Sequence, residues 1–208
     1  MLRIYPHSNR SVIRLTTSDA HQPRADAARN RAHLLAVATR ALTRGDGAEP
    51  SMRAIARDAG VGIGTLYRHF PTRESLVAAV YSDQVTRLTA GARELLTMHA
   101  PARALRLWMD LYGEWIATKS GMLNTLLTMV ETGDLPHAHT RDQILDAIST
   151  IVQAGNEAGD LRADITPTEI SASLIGIFTV SQQAAGTISA DRLLDLLLDG
   201  LRAEPTCR

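Results

Sequence analysis

The chain has 208 residues, 45% of them hydrophobic and only 4% aromatic, with no net charge, which is enough apolar mass for a real core in one domain or two small ones. Its only cysteine, Cys207, excludes an internal disulfide and any CxxC metal or redox motif. No apolar run approaches the roughly 18 residues of a membrane span and the first 22 residues lack a signal peptide's apolar core, so a cytoplasmic protein is expected.

The zero balance hides a division. Residues 1–87 hold 13 arginines against 7 carboxylates, a surplus of +6, whereas residues 88–208 hold 9 cations against 15 carboxylates, or −6. The basic part is the candidate for nucleic acid. Alanine and leucine recur throughout while runs of valine and isoleucine are nearly absent, which predicts an all-α fold.

Residues 1–22 read as a polar, weakly basic tail, either disordered or the product of a start assigned too early. From Arg24 to Arg44 apolar residues at Leu34, Leu35, Val37, Ala38, Ala41 and Leu42 keep a helical period, and the glycines of RGDG end it. A second, short helix follows Pro50, capped by Ser51 and closed by Gly60, with Met52, Ile55, Ala56 and Ala59 on its apolar stripe and Arg53 and Arg57 outward. A third runs from Gly62 to Phe70, where Pro71 stops it, with Leu66 and Phe70 inward. Thr72 caps a long fourth helix. Five more are predicted at about 102–119, 122–131, 140–157, 168–185 and 190–201, separated by turn-rich breaks.

The stretch GVGIG, with three glycines in five residues, is either a phosphate cradle or a turn between helices. A dinucleotide fingerprint needs a preceding strand, and a P-loop needs a Gly-Lys-Ser/Thr ending. Here the preceding MRAIARDA is helical and the only lysine is Lys119, which leaves the turn. In a helix-turn-helix the first residues of the second helix face base edges, and small residues there permit close approach. Tyr67, His69 and Arg73 are then placed for phosphates and Arg53 for guanine O6 and N7. Tyr67 has the alternative of packing in the three-helix core. Arg24, Arg29 and Arg31 are either phosphate contacts or plain surface charge.

The segment MRAIARDAGVGIGTLYRHFPTRESL resembles the DNA-binding domain of the TetR family of bacterial transcriptional regulators, whose pattern I-A-x-x-A-G-V-x-x-x-T-L-Y-x-H-F-x-x-K/R-x-x-L is readable from Ile55 to Leu76. The resemblance is strong over about residues 24–85. It implies a helix-turn-helix DNA-binding domain over residues 23–72 and a helical ligand-binding and dimerisation domain over residues 73–208, linked by the fourth helix. It also implies base-facing roles for Arg53, Ile63, Gly64, Thr65 and Tyr67, with Gly62 opening the recognition helix, and phosphate roles for Ser51, His69 and Arg73.

In the acidic half, Trp108, Met109, Tyr112, Trp115, Met122, Leu126 and Met129 cluster on helices that are apolar around much of their circumference. They form either a solid core or, with Phe178, the lining of a cavity for a small apolar or aromatic ligand; the resemblance implies an effector site among these helices. His137 and His139, near Glu131, Asp134 and Asp142, either hold a divalent metal, fringe a pocket or are simply solvated, and no metal or cofactor is expected. The last two helices are too apolar for a monomer surface, which points to a homodimer through Ile170, Leu174, Ile177, Leu193, Leu197 and Leu201. No nucleophile stands beside a base in any catalytic motif, which speaks against an enzyme; the resemblance implies a ligand-released repressor on a double-stranded DNA operator, and the alternative is an activator or architectural protein without an effector.

Overall fold

A computed structural model of the chain describes residues 22–44, 49–133, 139–183 and 187–203. Among these residues the order is α1 (Gln22–Thr43), α2 (Met52–Asp58), α3 (Ile63–His69), α4 (Arg73–Met98), α5 (Pro101–Ser120), α6 (Leu123–Glu131), α7 (Thr140–Ala158), α8 (Pro167–Gln183) and α9 (Ala190–Leu201). The tail over residues 1–21, Asp134, His137 and Cys207 lie outside the described residues. No described helix is long and apolar enough to cross a membrane.

The helix ends follow from local chemistry. Ser51 Oγ accepts from the backbone N–H of Ala54 at 3.2 Å and opens α2. Gly60, at φ +68°, closes it: the Gly60 and Val61 N–H groups donate to the carbonyls of Arg57 and Ala56, both at 3.0 Å, a left-handed cap that glycine adopts without strain. Thr72 and Ser75 exchange side-chain-to-backbone hydrogen bonds at 3.1 Å across the first turn of α4, where Glu74 also meets the positive end of the helix dipole. Pro101, lacking an N–H that would have no partner there anyway, starts α5.

The first three helices share a small core in which Leu34, Ala38, Ile55, Leu66 and Phe70 are buried. Along α1, His33 lies 3.2 Å from the Ala59 carbonyl and the Arg31 guanidinium sits 5.0 Å above the Phe70 ring. The far end of α1 instead meets α5: Thr43 Oγ1 is 2.7 Å from Thr118 Oγ1. There, a Cβ at Gly121 would overlap the carbonyl of Leu42. The backbone of the α5–α6 turn therefore rests directly on that of α1. Helix α4 runs on from α3 and packs against α5 and α7, while α8 lies on α7 and α9. Arg106 pins α5 to α9 through Asp195 at 2.6 Å and also pairs with Asp110 on its own helix. An isolated bridge between Leu161 and Arg202 ties the end of α9 to the turn before α8.

Because nothing flexible faces Gly121, Gly121→Ala is expected to lower stability by about 1–3 kcal/mol through backbone displacement. Gly64→Ala, in a helical position whose added Cβ meets open space, is expected to keep stability or raise it by up to about 1 kcal/mol. Thermal unfolding followed by circular dichroism separates the two.

Candidate nucleic-acid interface and ligand core

Helices α2 and α3 form a helix-turn-helix whose outward face collects the residues singled out in the sequence. Ser51, Arg53, Gly62, Gly64 and Tyr67 are exposed, and Thr65 and His69 are half-buried. Tyr67 is 46% exposed, which removes it from the three-helix core. The Thr65 hydroxyl accepts from the Arg68 guanidinium at 3.0 Å, which leaves its own proton for an outside acceptor. Ile63 divides its surface, packing partly against the core. A Cβ added at Gly62 or Gly64 would meet nothing within 4 Å. Neither glycine has the positive φ of Gly60, so the fold itself does not require glycine at either place. The edge they form is bare backbone at the start of α3.

Arg73 is placed differently from a phosphate contact. Its guanidinium turns inward, donating to Glu49 at 2.6 and 3.1 Å, to the Pro50 carbonyl at 2.6 Å and to Thr125 Oγ1 at 2.9 Å. Glu49 in turn accepts from the backbone N–H and the hydroxyl of Thr125 at 3.1 and 2.8 Å. One cluster thus joins the residues just before α2, the first residue of α4 and the first turn of α6. Burial alone would push the Glu49 carboxyl up, but the two donors of Thr125 and the Arg73 guanidinium outweigh it and hold it below its ordinary value. Neither Glu49 nor Thr125 is conspicuous in the sequence, being separated from Arg73 by 24 and 52 positions.

The aromatic cluster is real and dense. Trp108, Met109, Tyr112, Trp115, Met122, Leu126 and Met129 are all buried. Tyr112 stands at its centre, with ring centroids 5.7 Å from Trp108, 5.3 Å from Trp115 and 6.0 Å from the half-buried Phe178. Burial pushes the Tyr112 phenol up to about 12, so it stays a protonated donor. Trp108 Nε1 donates to the Leu88 carbonyl at 2.8 Å, yet the indole N–H of Trp115, also buried, has no hydrogen-bond partner among the described residues. An unmet buried donor costs about 1–3 kcal/mol.

On α8 and α9 the faces differ from the expected ones. Ile170, Leu174 and Leu201 are buried in the chain's own core and are not available to a second copy, while Ile177, Leu193 and Leu197 are half-buried. The large apolar side chains that do face outward are Ile175, Val180 and Leu196. Helix α8 is apolar on both sides, so its period alone does not say which side is inner. His139 precedes α7, and no group of three or more metal-ligating side chains occurs among the described residues.

Comparisons agree with this architecture. Residues 34–80 match the model of bacterial regulatory proteins of the tetR family, and residues 100–203 match that of the C-terminal domain of SbtR-like transcriptional regulators. A TetR transcriptional regulator from Streptomyces coelicolor is 40% identical, with 83% of this chain and 98% of that one covered and a TM-score of 0.76. A TetR transcription regulatory protein from Mycobacterium vanbaalenii is 34% identical, with 87% and 99% covered and a TM-score of 0.67. A search of curated proteins found no match.

The lowered Glu49 carboxyl sets a sign for acid sensitivity. Its contribution is fully present above the ordinary value of 4.5 and is lost as pH falls through the lower folded value. Thermal melts of the wild type and Glu49→Gln are expected to differ at neutral pH, with the variant lower, and to converge in acid; a gap independent of pH contradicts the assignment.

Proposed function

The chain belongs to the TetR family of bacterial transcriptional regulators, and from that premise we propose that it is a homodimeric repressor, working in the cytoplasm, that holds a near-palindromic operator until a small, largely apolar or aromatic effector releases it. Members of this family are regulators of transcription and not enzymes. In this reading residues 23–72 contact DNA and residues 73–208 bind effector and partner, with α4 shared between them.

The observation that carries the DNA reading is the bare glycine edge of α3. Gly62 and Gly64 are small where the protein itself leaves room for a side chain, and they are flanked by exposed Arg53 and Tyr67. Close approach of backbone to a groove explains a small residue that internal packing does not. Arg53 supplies the bidentate donor fitted to guanine O6 and N7, and Ser51 and His69 the phosphate contacts. Arg73 acts on DNA through α2 and α4 and not by direct contact.

Support for an effector comes from the Trp115 indole, a buried donor without a partner inside an aromatic cluster. A ligand with one acceptor and a flat apolar body satisfies it. Binding there shifts the population toward a non-binding arrangement only by the ligand's preference for that arrangement, commonly about 1–3 kcal/mol. The outward Ile175, Val180 and Leu196 fit a four-helix interface with a second copy, which sets two α3 helices about 34–36 Å apart for successive half-sites.

Purified protein is expected to bind duplex DNA from the intergenic region beside its own gene more tightly than a scrambled duplex, with affinity falling steeply with salt. Arg53→Ala is expected to cost about 1–3 kcal/mol of operator binding. Gly64→Val is expected to abolish binding while the helical spectrum is retained; unchanged binding by Gly64→Val refutes close approach at that edge. For the dimer, Leu196→Glu combined with Ile175→Glu is expected to give a folded monomer by light scattering, and a persistent dimer places the interface elsewhere.

A further inference from the structure

A cavity of about 530 Å³ opens between α1, α4 and α5, and none of the residues assigned above to DNA, the aromatic cluster or the subunit interface lines it. Its walls carry three guanidiniums, from Arg40 and Arg44 at the end of α1 and Arg87 on α4, against a single carboxylate, Glu114. None of the three is paired with a carboxylate among the described residues. Asp58 lines a neighbouring cavity with Arg40 and Arg44, but its ion pair, at 3.5 Å, is with Arg57. Gln84, only 5% exposed, also lines the cleft, and among the described residues its amide nitrogen has no hydrogen-bond partner, nor does the hydroxyl of Thr39 on the same lining.

Surplus positive charge and unmet buried polar groups in one cleft of ligand size call for a ligand with negative charge and acceptors. Guanidiniums match carboxylates in a two-pronged geometry, and arginine stems and threonine methyls line the rest with apolar surface. We propose that this cleft binds a small organic acid, with its carboxylate among Arg40, Arg44 and Arg87, an acceptor at the Gln84 amide and its apolar body along the α4–α5 wall. The site is separate from the aromatic cluster and does not depend on an effector binding there. Because Arg40 belongs to α1, Arg44 directly follows it and Arg87 belongs to α4, the ligand ties the first helix to the rest of the chain. By linkage, its occupancy and operator affinity alter each other by the same factor.

Decanoate titrated into the full-length protein by calorimetry tests the site, with decanol as the uncharged counterpart. The expected result is saturable binding of one decanoate per chain and none of decanol at the same concentration. Arg87→Gln, a substitution at an exposed position checked for intact fold by circular dichroism, is expected to weaken decanoate at least about tenfold, the equivalent of about 1.4 kcal/mol, with Arg40→Gln as a second reading. Trp115→Phe is expected to leave it unchanged. Absence of saturable decanoate binding, equal binding of decanol, or wild-type affinity in both arginine variants overturns the proposal. Loss of binding in Trp115→Phe overturns it too, by assigning the acid to the aromatic cluster.

Discussion

The arrangement of the helix-turn-helix depends on one partly buried ionic cluster. Arg73, the first residue of α4, reaches back to Glu49 and Pro50 just ahead of α2 and sideways to Thr125 in the first turn of α6. A partly buried ion pair of this kind adds little over an apolar contact, but removing one partner strands the other's charge and is costly. Its value is therefore positional. The chain entering α2 cannot shift against α6 without breaking charge-assisted hydrogen bonds, so the orientation of the helix-turn-helix is set by the same contacts that hold α6. The backbone contact of Gly121 on Leu42 closes the junction from the other side.

Most of the fold was legible because its determinants are local. Ser51, Gly60, Thr72 and Pro101 act on backbone groups within a few residues of themselves, and the helix ends they mark fall within one or two residues of the expected places. The burial of Leu66 and Phe70 and the exposure of Arg53 and Arg57 followed from helical period in the same way. What the sequence concealed is long-range. Arg73 carries the same charge whether it meets phosphate or Glu49, and only the tertiary arrangement brings Glu49 and Thr125 within reach. On α8, apolar residues line both sides, so the period pointed to Ile170 and Leu174 for a partner; packing against α7 and α9 buries these two and leaves Ile175 and Val180 outward.

Two sites of unmet chemistry lie on elements that touch the junction. The Trp115 indole belongs to α5, whose last turns abut α1, and the arginine-rich cleft spans α1, α4 and α5 directly. An aromatic effector and an organic acid would thus act on the same mechanical link from different sides. Any influence of such ligands on DNA affinity would be bounded by the difference in their affinity for the two arrangements of that link, typically about 1–3 kcal/mol, which favours graded responses.

The claim beneath all of this is that the first three helices and α6 are held as one unit through Glu49, Arg73 and Thr125. Native-state hydrogen exchange on the wild type and Glu49→Gln, read at the amides of α2, α3 and α6, addresses it without reference to any ligand or operator. Joint loss of protection in α2, α3 and α6, with α7 and α9 unaffected, is the predicted result. Loss confined to α6, or protection unchanged throughout, would mean that the helix-turn-helix keeps its place without the cluster, and would contradict it.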